Sequence, residues 1–154
     1  MSYLDHIQAC NRWDPRQFVP FRVDGEQVGL IRRDFLPSLK DWPQILTWSE
    51  TGVAWAHPAT GLEERTAILH ELLEELHARG LIGHTHGERY PVAAQDRLRP
   101  RLLIDRSAAT YFGVRAYGQH LNGFVRAGDG YQLWVARRAA DRRVFPNHLD
   151  HLAA

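Results

Sequence analysis

The 154-residue chain holds one cysteine, Cys10, one methionine, Met1, and one lysine, Lys40. A single cysteine excludes an internal disulfide framework and a cysteine-built zinc site. No apolar run approaches the ~18 residues that a membrane-spanning helix needs. The opening Met1-Ser2-Tyr3-Leu4-Asp5 places an acid early and lacks a basic-then-apolar leader pattern. These absences predict a soluble, cytoplasmic protein with no membrane partner. There is no Gly-x-Ser-x-Gly elbow and no glycine-rich phosphate loop with a lysine, so neither of those catalytic frameworks applies. No internal repeat or low-complexity tract is visible.

What is present describes a folded protein. Hydrophobic residues make up 44%, aromatics 10% and charged residues 24%, a composition that excludes a mainly disordered chain. The length suits one domain, or one domain and a fragment of another. Net charge is +1 but unevenly spread: residues 1–80 sum to −4 and residues 81–154 to +5. Eighteen of the nineteen basic side chains are arginine, whose planar fork suits phosphate oxygens. A net charge of +1 is too small to imply a nucleic-acid partner, and none is expected.

Along the chain, Leu4, Ile7 and Cys10 are spaced like a short helix face, with Ser2 as its cap and Pro15 ending it. The runs Phe18–Val23 and Gln27–Ile31 flank Asp24-Gly25, a strong hairpin signal. Asp34–Lys40 reads as a short helix interrupted by Pro37. Ile45–Trp48 and Val53–Trp55 form a second hairpin around Glu50-Thr51-Gly52. The clearest helix runs over 61–79. Thr60 and Glu63 fit a capping box, Leu62, Leu69, Leu72, Leu73 and Leu76 form one stripe, and Gly80 is a left-handed end. Tyr90–Ala93 and Leu102–Ile104 are strands. Val114–Arg126 and Tyr131–Ala136 make a last hairpin around Gly128-Asp129-Gly130. The fold class is α+β: a mostly antiparallel sheet built from hairpins, with one long helix, 61–79, packed across it.

Several clusters imitate catalytic sites. His70 and His77 lie seven apart, with Glu74 where a metalloprotease helix needs its second histidine. Glu71, Glu74 and Glu75 imitate the carboxylate core of the Nudix signature, yet His70, His77, Ala56 and Leu62 stand at its special positions. A solvated helix face explains these acids, and a small metal-dependent hydrolase built on them is the weaker alternative. His84 and His86 share a face of an extended segment but find no third ligand. That pair, and likewise His148, Asp150 and His151, reads as a loop with adventitious metal affinity. Cys10 reads as a small buried apolar residue. Arg97, Arg99 and Arg101 alternate along a loop.

A family resemblance rests on longer motifs. They are Ala9-Cys10-Asn11-Arg12, Phe18–Gly25 with Val28-Gly29 and Arg32, Tyr90-Pro91-Val92, and Tyr111–Gly118. His120-Leu121-Asn122-Gly123-Phe124-Val125, Leu133–Arg138 and Phe145–Ala153 complete the set. Through these the chain resembles the amino-terminal region of a group of Nudix hydrolases, related to the Nudix part fused to thiamine pyrophosphokinase. That region is catalogued as a domain of unknown function. Thr85-His86 depart from the Trp-Arg-type pair usual before the Tyr-Pro-Val segment. The sequence ends short of the Gly-Gly pair and the Nudix box.

The resemblance implies an N-terminal accessory domain over 1–112 and the truncated start of a Nudix domain over 113–154, with its opening β-hairpin. It implies hydrolysis of a nucleoside- or thiamine-like diphosphate in full-length relatives, with Mg or Mn as the cofactor. Because the metal carboxylates belong to the Nudix box, these 154 residues are expected to hold no catalytic residue, no metal ligand and no cofactor. Arg115, Asn122, Arg137 and Arg138 are the expected substrate or phosphate contacts. Two strands alone are marginal in water, so the last hairpin is expected to extend a sheet or to support a homodimer. A non-catalytic dimerisation or protein-interaction module is the rival reading. It draws on Trp13, Trp42, Trp48, Trp55 and Trp134 as interface anchors, although at least three of these are expected in the core.

Overall fold

The computed structural model describes residues 2–83, 85–142 and 144–153. The chain forms two compact units, Met1–Ala116 and Tyr117–Ala154. Both helices and strands are present and most strand pairs are antiparallel, so the α+β class holds.

The first unit begins with helix α1 (Tyr3–Cys10). Ser2 caps it in a full capping box with Asp5. None of its residues is buried, and Leu4 and Ile7 are each 60% exposed. The expected buried Cys10 is therefore exposed: nothing described packs against the helix face that carries it.

Strands β1 (Phe18–Val23) and β2 (Glu26–Arg32) form the predicted hairpin. Asp24 and Gly25 both take positive φ, 53° and 79°, as a two-residue turn of this kind requires. β1 alternates, burying Val19, Phe21 and Val23 on one face. A bulge between Phe21 and Arg22 shifts the register against β2. The predicted helix at 34–40 shrinks to a 3₁₀ turn, Leu36–Leu39, because Pro37 sits at its start. Strands β3 (Leu46–Ser49) and β4 (Gly52–Trp55) form the second hairpin. β4 joins β1 in parallel, and the sheet order is β2-β1-β4-β3.

Helix α2 (Leu62–Ala78) buries Leu69, Leu72, Leu73 and Leu76 as the stripe predicts. Its start differs from expectation. Gly61 is the N-cap, with ψ at 142°, and no side chain caps it. A box opened by Thr60 would need Gly61 to be helical already. The far end matches. Gly80, at φ 69°, donates its N–H to His77 O, and Leu81 N–H donates to Leu76 O, closing a Schellman turn. Strands β5 (Arg89–Val92) and β6 (Leu102–Asp105) pair antiparallel, and α2 packs on β6. Thr66 Oγ1 accepts the Leu103 N–H at 2.9 Å across that contact. Asp105 then caps the single turn α3 (Arg106–Ala109).

The close of the first unit crosses its beginning. Leu30 N–H donates to Gly113 O at 3.2 Å. A Cβ on Gly29 would stand 2.3 Å from Phe112 O, and one on Gly113 would stand 1.9 Å from Leu30 O. Gly113 also holds φ 57°, so glycine is required there twice over. Phe112 is fully buried and meets Phe21 edge-on at 5.5 Å.

The second unit holds β7 (Phe124–Ala127) with β8 (Gly130–Leu133), and β9 (Ala136–Arg137) with β10 (Leu149–Asp150). The predicted strands of the last hairpin are shortened to these. Each pair is a two-stranded antiparallel sheet. An isolated bridge joins Leu121 to Ala153. No described residue of this unit is buried, although it carries Phe124, Tyr131, Leu133, Trp134 and Phe145. The tryptophans also depart from expectation. Trp42 is buried and Trp55 packs partly on the core, whereas Trp13, Trp48 and Trp134 are exposed. No helix among the described residues is long and apolar enough to cross a membrane.

Candidate functional site

In the first unit, polar chemistry gathers along β2. At its turn the carboxylate of Asp24 receives a bidentate fork from Arg65 of α2, at 2.8 and 2.5 Å. Arg65 is only 4% exposed, and its Nε donates to Ala59 O at 2.7 Å. A buried guanidinium needs such partners. The Arg65 hydrogen bonds hold the Asp24 carboxyl below its usual range. Arg101 pairs with Glu26 at 2.5 Å and reaches Asp24 at 4.0 Å. Sequence reasoning missed this network. Its signal was available: residue 65 falls on the leucine stripe of α2, where a charge must find a counterpart.

Beside β2 lies a hollow of about 550 Å³, lined by Glu26, Gln27, Gln95, Asp96, Arg99 and Arg101. Next to it, sharing Gln27 and Ala94, is a second of about 320 Å³ that Arg115 reaches. Arg101 is neutralised by Glu26, and Arg99 lies 3.5 Å from Asp96. Arg115 is exposed and makes no ion pair among the described residues, so its fork remains available to an anion.

The other expected contacts lie in the second unit. Arg137 ends β9 and Arg138 follows it. Arg137 Nη1 donates to Asn147 O at 3.0 Å. Arg138 Nη1 donates to Asp150 at 2.6 Å, an interaction that lowers the Asp150 carboxyl below its usual range. Arg138 is therefore engaged within the fold. Asn122 is exposed in the segment before β7. His120 and His151, thirty-one residues apart, meet with ring nitrogens 3.1 Å apart, a pairing that spacing does not reveal.

The carboxylates of α2 do not form a metal cradle. Glu71 and Glu74 are exposed, while Glu75 accepts from Trp42 Nε1 at 3.1 Å and pairs with Arg79. Among the described residues no group of three or more His, Cys, Asp or Glu side chains could hold a metal ion. The described residues thus offer no such cradle to the Mg or Mn that the resemblance implies. Of the proposed histidine pair, His84 lies outside the described residues. The His86 N–H donates to Asp105 at 3.1 Å.

The first unit is a mixed sheet with one long helix, and Arg115 beside it makes no ion pair among the described residues; the second unit is built of exposed hairpins. The chain belongs to the family described as Domain of unknown function (DUF4743), which matches residues 2–116. It is 31% identical over 160 residues to "Nudix hydrolase 24, chloroplastic" of Arabidopsis thaliana, covering 99% of this chain and 43% of that protein. It is 29% identical over 164 residues to "Nudix hydrolase 20, chloroplastic" of the same plant, covering 99% and 44%. An uncharacterized protein of Saccharomyces cerevisiae, YJR142W, is 27% identical over 97 residues, covering 60% and 28%. The chain thus spans less than half the length of these relatives, and its resemblance to a region of Nudix hydrolases holds.

Proposed function

We propose that these residues form the accessory, substrate-shaping region of a Nudix-type hydrolase of nucleoside- or thiamine-like diphosphates. They carry no catalysis of their own. The observation that carries this reading is the second unit. Its strands bear large apolar side chains and yet no described residue is buried, as expected of strands whose sheet is completed by further chain. Hydrolysis would then depend on Mg or Mn bound by acids outside these residues. Arg115 would present its fork to a phosphate, and a cytoplasmic setting accords with the single free cysteine.

Assays of the 154-residue protein with diphosphate substrates and Mn²⁺ should show no turnover above background. Metal-dependent turnover that disappears in Glu74→Gln or Glu75→Gln would overturn the reading. Inorganic pyrophosphate titrated into the protein should bind about tenfold more weakly to Arg115→Ala. An unchanged affinity would remove Arg115 from the site.

The exposed β7–β8 hairpin, with Trp134 62% exposed, favours one rival: a second copy covering these strands as a homodimer. Sedimentation equilibrium separates the two. A dimer dispersed by Leu133→Asp would support the interaction module, and a monomer at high concentration would eliminate it.

A further inference from the structure

The small cavity between α2 and the β5–β6 pair is not used by the reading above. It measures about 180 Å³, and its lining includes Thr66 and His70 of α2, Arg89 of β5 and Asp105 of β6. Its floor is polar but already satisfied. Asp105 accepts from the N–H groups of His86, Gly87 and Ser107 and from the Ser107 hydroxyl. Burial pulls this carboxyl upward, and those four donors pull it further down, so it stays ionised below the usual carboxylate range. Thr66 Oγ1 donates to Leu62 O at 2.7 Å and accepts from Leu103 N–H.

The walls are the reverse. The side chains of Arg89 and His70 make no hydrogen bond or ion pair among the described residues, and both line the same cavity, one from β5 and the other from α2. Arg106, next to Asp105 in the chain, is already paired with Glu88 at 2.7 Å. The cavity therefore combines a saturated anionic floor with two unspent nitrogen donors at its rim. A planar five-donor fork opposite an imidazole suits a tetrahedral oxyanion, which accepts several bonds at once. A cation would find only one carboxylate, already carrying four donors.

We propose that His70 and Arg89 form a binding site for a small oxyanion, namely phosphate or the phosphate group of a compact ester. The site is separate from the Arg115 hollow and does not depend on the Nudix reading. It also gives His70, the leading residue of the histidine–glutamate run on α2, a use that neither a metalloprotease nor a Nudix motif supplies.

The test is calorimetric titration of the 154-residue protein with inorganic phosphate, and separately with O-phosphoserine and with acetate. Phosphate should bind, acetate should bind more weakly, and Arg89→Gln and His70→Gln should each weaken phosphate about tenfold or more. Arg89→Lys should recover part of the loss, because a point charge remains without the fork. O-phosphoserine binding like phosphate assigns the site to esters. Its exclusion while phosphate binds assigns the site to the free ion. Arg99→Gln, on the larger hollow beside β2, should leave phosphate affinity unchanged. Thermal unfolding confirms that each variant is folded, since both side chains are exposed. No phosphate binding in the millimolar range, or equal weakening by Arg99→Gln, overturns the proposal.

Discussion

Phe112→Ala lowers the stability of the first unit by about 3–5 kcal/mol and its Tm by roughly 15 °C. The ring is fully buried and makes edge contacts with Phe21 at 5.5 Å and Phe35 at 6.3 Å. Its removal leaves a void beneath β1, and Gly113 holds the neighbouring backbone against β2 so that the site cannot collapse freely. Gly113→Ala acts at the same seam by overpacking. A Cβ there meets Leu30 O at 1.9 Å and the residue must keep φ 57°, for a loss of about 3 kcal/mol. Urea unfolding followed by tryptophan fluorescence checks both, and a loss under about 1 kcal/mol in either would contradict the packing described.

Arg65→Met removes the buried fork while keeping much of its volume, and should cost about 2–3 kcal/mol at neutral pH. Asp24 is partly exposed, which holds the figure below that of a fully buried pair. The pH dependence gives a second signature. The Arg65 hydrogen bonds depress the Asp24 carboxyl in the folded state. The stability they add is present above the unfolded carboxyl's value of about 3.9, and is lost as pH falls through the lower folded value. The stability gap between wild type and Arg65→Met should therefore narrow on acidification below about pH 4. A gap constant with pH would show that Arg65 acts through packing alone. Asp24→Asn in the Arg65→Met background should add little, because the two share one interaction.

Much of the first unit was legible in its residues. Asp24-Gly25 between β-prone runs, the leucine stripe of α2 and the glycine at its end each state a local rule that tertiary contacts do not override. The misreadings have a common cause. Cys10 and the exposed tryptophans are apolar by composition, and composition assigns such side chains to a core without saying whether anything reaches them. The Thr60 box failed over the backbone angle of one residue, Gly61, which spacing cannot specify. Among the site residues, the Arg115 fork is legible from the residue type, and its having no ion-pair partner among the described residues is a property of the fold. Arg138 carries the same fork but pairs with Asp150, twelve positions along the chain and brought near by the β9–β10 pairing.

The crossing of Phe112-Gly113 over β2 bears on the order in which the protein is made. Strand β2 is synthesised some eighty residues before the segment that seals its edge. Until that segment emerges from the ribosome, Phe21 and Phe35 have no aromatic lid, and the Leu30 amide has no acceptor. The first unit therefore cannot reach its final packing cotranslationally before its last few residues are available. A nascent chain stalled shortly after β6 would be the species most exposed to proteases and chaperones.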